Sequence, residues 1–327
     1  MPTVPVDVSA PPPALPPPAT SMSEQRRRQR SGLVYATVSA AAFGSSGPMG
    51  KALLESGWTA GAAVLLRLAG SALLLSVLVL VRYRGRVRLG RHHLRVLAVY
   101  GTVAMAGVQL AFFNAVRTLD VGVALLLEYL APVLLLTWTA VTTRRRPPTA
   151  TLAGAGLTLI GLVLVLDLTG AGAVDPIGVV WGLIAAVCLA AYFHLSAHQD
   201  QDLPPLVMAA GGTTVGALVL LLAGLVGLVP LTADTTPAVL AGAEVSWLVP
   251  ALWLVVVSTA TAYLTGIAGV VRLGPRAASF VSLSEVLFAI AVAWALLSEL
   301  PGPVQLLGGV SILVGIVVIQ RNERVQP

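Results

Sequence analysis

The chain reads as an all-α membrane protein of ten transmembrane helices arranged in two inverted five-helix repeats. The first observation is compositional: of 327 residues, 57% are hydrophobic and only 10% charged, against about 25% charged in a soluble globular domain. The second is periodic, since apolar stretches succeed one another, each about 20 residues long, the length that crosses a ~30 Å hydrocarbon core. The third is an internal similarity between the halves. The composition excludes an ordinary soluble enzyme. The lone Cys188 lies in an apolar stretch and excludes an intramolecular disulfide.

Residues 1–30 differ in composition from the rest of the chain. Pro2, Pro5, Pro11 to Pro13 and Pro16 to Pro18 occur with almost no large apolar residues, a composition that forms no core. A disordered tail is expected there, ending in the basic cluster Arg26, Arg27, Arg28 and Arg30. That cluster before an apolar run resembles a signal peptide, with Ser39-Ala40-Ala41-Ala42 mimicking its cleavage site. As the opening of ten such runs, it reads instead as a first transmembrane helix.

Apolar segments between charged or proline-rich breaks place helices near 31–50, 58–81, 93–114, 119–142, 149–168, 176–197, 204–229, 247–271, 276–298 and 303–320. With the N-terminus inside, seventeen of the twenty basic residues fall in inner segments: the tail, Arg82 to Arg95, Arg144 to Arg146, Arg272, Arg276, Arg321 and Arg324. Only Lys51 and Arg117 fall outside, and Arg67 lies within a span. Basic residues are retained on the cytoplasmic side, so both ends are expected in the cytoplasm of a multi-pass cytoplasmic-membrane protein. This distribution also accounts for the net charge of +6 without a nucleic-acid partner. The inner loop carrying His198, Asp200 and Asp202 is the exception to the pattern.

Leu152, Gly154, Leu159, Gly161 and Val163 recur as Leu306, Gly308, Leu313, Gly315 and Val317, each at an offset of 154 residues. The same offset carries Leu119 onto Leu273 and Pro147 onto Pro301. Gly32, Val34 and Ala40 match Gly178, Val180 and Ala186 more weakly. Two copies are expected, over 31–168 and 175–320, with a short cytoplasmic tail at 321–327. Because five is odd, the second copy crosses in the opposite sense. Inverted repeats are the signature of alternating-access carriers that bind solute near the bilayer midplane.

Three charges lie deep in the spans: Arg67, Glu128 and Glu285. Each is about nine residues into its helix, or ~14 Å at 1.5 Å per residue, close to the midplane. Such charges are costly in hydrocarbon unless paired or wetted, so three at one depth point to one cavity. Pro132 comes four residues after Glu128 and lacks the N–H that would bond the Glu128 carbonyl, which predicts a helix break there. Pro48 stands at the end of the small-residue run Ala36, Ala40, Gly44. Glu128 is a candidate to bind a proton in one state and a substrate amine in the other. Arg67 can pair with it permanently and fix helix positions, or clamp a substrate carboxylate. Glu285 has Ser282 and Ser284 as neighbours that can hydrogen-bond it. Gln109, Asn114 and Tyr263 are further candidates for a cavity lining, with interhelical hydrogen bonding as the other reading. Trp58, Trp247 and Trp294 serve as interfacial anchors or core.

Two other function classes bear weighing. Gly44-Ser45-Ser46-Gly47 fits the GxSG pattern of intramembrane serine proteases, but Ser46 falls towards the outer half and the needed histidine, His194, towards the inner end. A non-transporting scaffold, with structural buried charges, is the other. No metal spacing, phosphate loop or ATPase motif is present, so no cofactor and no direct ATP coupling is expected.

The ordered set of motifs resembles the drug/metabolite transporter superfamily, in its ten-helix EamA-type branch. In the first half it comprises Phe43-Gly44-Ser45-Ser46-Gly47-Pro48, Arg67-Leu68-Ala69-Gly70, and Phe112-Phe113-Asn114-Ala115 through Glu128-Tyr129-Leu130-Ala131-Pro132-Val133. In the second it comprises Arg272-Leu273-Gly274-Pro275, Glu285 with Phe288-Ala289, Glu299, and Gln305-Leu306-Leu307-Gly308-Gly309 through Gly315. Val286 stands where the family pattern usually has proline, and Arg144 to Arg146 where a Gly-Glu pair often closes the fourth span. The resemblance implies a secondary carrier of small metabolites such as amino acids or drug-like solutes, often outward and coupled to protons.

Overall fold

The computed structural model describes residues 22–84, 87, 89–143, 148–166, 175–196, 203–273, 278 and 281–322. The expected disordered stretch 1–20, Arg144 to Arg146, the 198–202 loop, Gly274-Pro275, Arg276 and Arg324 lie outside these residues. Among the described residues the chain forms ten helical rods. They are α1 (Met22–Gly44, continued by Ser46–Glu55), α2 (Ala60–Tyr83), α3 (Arg91–Ala115), α4 (Val121–Glu128, continued by Ala131–Thr143) and α5 (Thr149–Leu166). The second set is α6 (Pro176–Ser196), α7 (Pro205–Leu225), α8 (Leu248–Leu273), α9 (Ser284–Leu297) and α10 (Pro303–Asn322). By length and hydropathy α2, α3, α4, α7 and α8 suffice to cross a membrane, while α5, α6, α9 and α10 contain shorter apolar helices. The protein is an all-α membrane protein. One expectation is corrected at the N-terminus: α1 starts at Met22, inside the segment assigned to the tail, because Glu24 to Arg30 are adequate helix formers joined to an apolar helix.

The contacts between the halves are symmetric. Exchanging α1 with α6, α2 with α7, α3 with α8, α4 with α9 and α5 with α10 maps the main interfaces between the halves onto one another. Thus α1 packs on α8 as α6 packs on α3, and α1 on α9 as α6 on α4. Likewise α2 meets α8 as α7 meets α3, while α2–α7, α4–α9 and α5–α10 map onto themselves. Irregularities repeat as well. A π-helical segment occupies Gly101–Gly107 in α3 and Trp253–Thr261 in α8, and the offset of 154 superimposes their C-terminal ends. The same offset carries the break after Glu128, at Tyr129 and Leu130, onto the turn at Leu283 that precedes α9. With five rods per copy, α6 runs opposite to α1.

Small residues bring the rods together, as expected where lipid provides no hydrophobic drive. At the α5–α10 crossing, a Cβ on Gly308 would lie 2.6 Å from the Gly161 carbonyl oxygen and 2.7 Å from the Val165 nitrogen. Those are backbone atoms, which cannot swing away. Gly308→Leu is therefore expected to separate the rods, at about 1–3 kcal/mol or more. The check is the yield of monodisperse protein in size exclusion, with Val310→Leu on the exposed face of α10 as the neutral control.

A short hairpin and its loop cover one end of the bundle. Ala238–Leu240 (β1) and Ala243–Val245 (β2) pair antiparallel, with Val239 opposite Glu244. Ala241 (φ +52°) and Gly242 (φ +75°) make a two-residue turn, and the Ala241 N–H bonds the Leu296 carbonyl of α9 at 2.7 Å. The preceding loop docks on the α1–α2 turn. Trp58 Nε1 donates to the Asp234 carbonyl at 2.6 Å, and Thr59 exchanges backbone and hydroxyl bonds with Thr232. Hydrogen bonds from Thr236 and Thr235 hold the exposed Asp234 carboxyl below its usual range. Trp58 is buried against Trp247, whereas Trp294 is exposed.

Candidate functional site

A cavity of about 450 Å³ lies between the two halves. The first half lines it with Gly44, Ser46 and Gly47 of α1, Arg67 of α2, Gln109 of α3, and Glu128, Tyr129 and Pro132 of α4. The second adds Leu189 of α6, Tyr263 of α8, Ser282 and Glu285 at the start of α9, and Ile316 of α10. Phe43, Tyr100 and Phe112 give it aromatic walls. The three deep charges thus converge on one space, with Gln109 and Tyr263. Asn114 does not line it; its Nδ2 donates to the Leu110 carbonyl at 2.8 Å within α3. Pro48 is buried in α1 behind the lining.

Two interruptions shape the site. In α1 the helix turns at Ser45, because Pro48 has no N–H to bond the Gly44 carbonyl. Gly44 lets α1 close on α9: a Cβ there would sit 2.7 Å from the Glu285 carbonyl oxygen. In α4 the break falls at Tyr129 and Leu130, as Pro132 requires, and leaves Glu128 as the last residue of its helical segment. Non-helical backbone at membrane depth is tolerated where it lines a cavity.

Arg67 is only 1% exposed, and its donors are largely occupied. Nε donates to Thr259 Oγ1 at 2.7 Å, one terminal nitrogen to Ser46 Oγ at 2.5 Å and Gln109 Oε1 at 2.7 Å, and the other to the Ser258 carbonyl at 3.2 Å. The Phe113 ring lies 5.9 Å from the guanidinium carbon. Among the described residues the one ion pair is Lys51–Glu299, so Arg67 and Glu128 make no direct contact. The fixed Arg67–Glu128 pair considered from sequence is corrected: neutral oxygens from α1, α3 and α8 surround the guanidinium first.

The same arrangement ties α2 to the π segment of α8. Such segments are rare and occur frequently at functional sites, and α2 supplies donors to the carbonyls of this one. Ser71 Oγ bonds the Val255 carbonyl at 3.1 Å and Arg67 bonds that of Ser258. Thr259 Oγ1 donates back to the Leu254 carbonyl at 2.8 Å. Ser45 adds a second link, accepting from Trp253 Nε1 at 2.8 Å and sharing a 2.9 Å hydrogen bond with Ser258.

Glu128 is half-buried and, among the described residues, has no hydrogen-bond or ion-pair partner in the protein. Glu285 accepts from Tyr129 OH at 3.4 Å, a link from α4 to α9 across the halves. Ser284 instead donates to the Val281 carbonyl at 2.6 Å. Sequence reading passed over Tyr129, Ser258 and Thr259 as site residues. Short hydroxyls in apolar helices look like ordinary packing residues, but Tyr129 stands beside Glu128 and shares its break. Ser46 accepts from Arg67, and the His194 side chain lies outside the described residues.

A model of the EamA-like transporter family matches residues 30–167 and again 176–321. Among solved structures, one described as "Crystal structure of protein" is 17% identical, covering 93% of this chain and 100% of its own, with a TM-score of 0.55. That likeness concerns the fold. No curated protein matches the chain. Two family matches that together span most of the sequence, one on each half of a symmetric bundle, place this chain in the EamA-like transporter family.

Proposed function

We propose that the chain is a secondary active transporter that exports small metabolites across the cytoplasmic membrane by alternating access, coupled to protons. The observation carrying this reading is the cavity, built from both repeats and holding two carboxylates at membrane depth. A scaffold has no need of a half-buried Glu128 that faces open space without a partner among the described residues, because a charge at membrane depth is costly unless paired or wetted. Arg67 directs its donors to neutral oxygens, so the free polarity of the cavity is acidic. The solute therefore carries an ammonium or similar cationic group on a largely apolar body, as amino acids and cationic drug-like molecules do. Glu128 takes a proton in one state and the solute amine in the other, with Glu285 second and Gln109 and Tyr263 orienting the solute. The termini face the cytoplasm, as the basic residues direct.

Solute counterflow in proteoliposomes tests the carrier reading without needing a gradient. Vesicles preloaded with an unlabelled amine solute are expected to accumulate the labelled form transiently above equilibrium. Screening amino acids and cationic drugs beside sugars and nucleosides tests the class. Absence of counterflow with every class supports the scaffold instead.

A further inference from the structure

Lys51 and Glu299 play no part in the cavity chemistry, yet they form the one ion pair among the described residues and join the two repeats. Lys51 stands one turn beyond Gly47 on α1; Glu299 lies just past the end of α9. Lys51 Nζ also donates to the Leu119 carbonyl at 3.0 Å, and Glu299 Oε2 accepts from the Val121 N–H at 3.1 Å. The pair therefore clasps the α3–α4 turn on both sides, binding a carbonyl within the turn and the first N–H of α4. Gly47 and Val121 both line the cavity. The clasp thus adjoins the lining on the side where Ala241 of the hairpin bonds the end of α9.

We propose that Lys51–Glu299 is the latch that closes the hairpin end of the cavity, and that it breaks and re-forms in each transport cycle. The proposal rests on the alternating-access reading above. Three features suit a latch rather than a permanent fastening. The side chains are 12% and 15% exposed, dry enough for the attraction to exceed that of a surface pair, which is worth about 0–1 kcal/mol, yet near enough to solvent to be rehydrated on opening. Beside it the contact between the halves is apolar and close, with Gly122 against Ile290 and Pro301. Glu299 is aimed by Ser298, which ends α9 at φ +58°, a conformation in which a non-glycine residue is strained and which a rearranged loop can release.

The test is thiol accessibility of the cavity from the hairpin face, which needs no known solute. Leu125→Cys in a Cys188→Ser background puts a thiol on the lining, and Thr235→Cys in the exposed loop marks the face reached. A membrane-impermeant thiosulfonate reagent applied from that face is expected to label Leu125→Cys at least tenfold faster when Lys51→Met or Glu299→Gln is added. Unchanged labelling in variants that remain monodisperse overturns the latch. Should the neutral variants not fold, Lys51→Cys with Glu299→Cys, joined by a short bis-thiosulfonate, is expected to stop counterflow until reductant is added; counterflow undisturbed by the cross-link overturns the proposal as well. Faster labelling in a protein that shows no counterflow with any solute leaves the pair as a closure of the hairpin end but overturns its cycling together with the carrier reading, whereas counterflow without faster labelling overturns the latch alone.

Discussion

Arg67→Met is expected to lower the stability of the purified protein on the order of 4 kcal/mol. The guanidinium donates to Gln109 Oε1 and Ser46 Oγ and reaches the Thr259 hydroxyl and Ser258 carbonyl as well. A buried acceptor left without its donor costs about 1–3 kcal/mol, and hydroxyls recover part of this by rotating. These acceptors belong to the re-entry of α1 after its break, to α3 just beyond its π segment, and to the π segment of α8. Loss of the side chain therefore releases three irregular segments at once. Arg67→Lys keeps the charge but supplies three donors from one nitrogen, without the planar fork, and is expected to fall between the two. Thermal unfolding in detergent, combined with size exclusion, is the measurement. A midpoint for Arg67→Met equal to that of the unaltered protein would show that the guanidinium does not hold these helices together.

Glu128→Gln is expected to act in the opposite way, with a small change in midpoint and a loss of coupled transport of about tenfold or more, equivalent to about 1.4 kcal/mol per decade. The carboxylate has no hydrogen-bond partner among the described residues, so the isosteric amide breaks no contact there. It removes the only carboxylate of α4. Glu285→Gln retains an acceptor for Tyr129 OH, and a milder loss is expected. Initial rates of solute-driven flux at matched protein content separate the two variants, and a Glu128→Gln rate within twofold of the unaltered protein would remove Glu128 from the chemistry.

Much of this architecture was legible from residue order because the bilayer imposes it. Run length sets the rods, and the offset between Leu152 and Leu306 sets the repeat. Pro132 sets the break in α4, since a missing N–H acts locally. Equal depth brought Arg67, Glu128 and Glu285 to one cavity, although depth carries no information about partners. Which acceptors reach Arg67 depends on the rotation of α1, α3 and α8 about their axes, and Ser46, Gln109 and Thr259 are far apart in the chain. The π segments left no mark that composition or period detects. Lys51 and Glu299 read as two loop charges among several, because nothing local tells that the ends of α1 and α9 meet. Asn114 has the residue type of a lining group but the rotation of a packing one.

Solute-triggered proton movement, monitored in proteoliposomes with an entrapped pH dye, tests the cavity, its carboxylates and the coupling together. Amino acids and cationic drugs are added beside sugars and nucleosides, to the unaltered protein and to Glu128→Gln. A pH change on adding an amine-bearing solute, lost in Glu128→Gln, is the predicted outcome. A pH change of the same size in Glu128→Gln, or one evoked only by solutes without a cationic group, would contradict it.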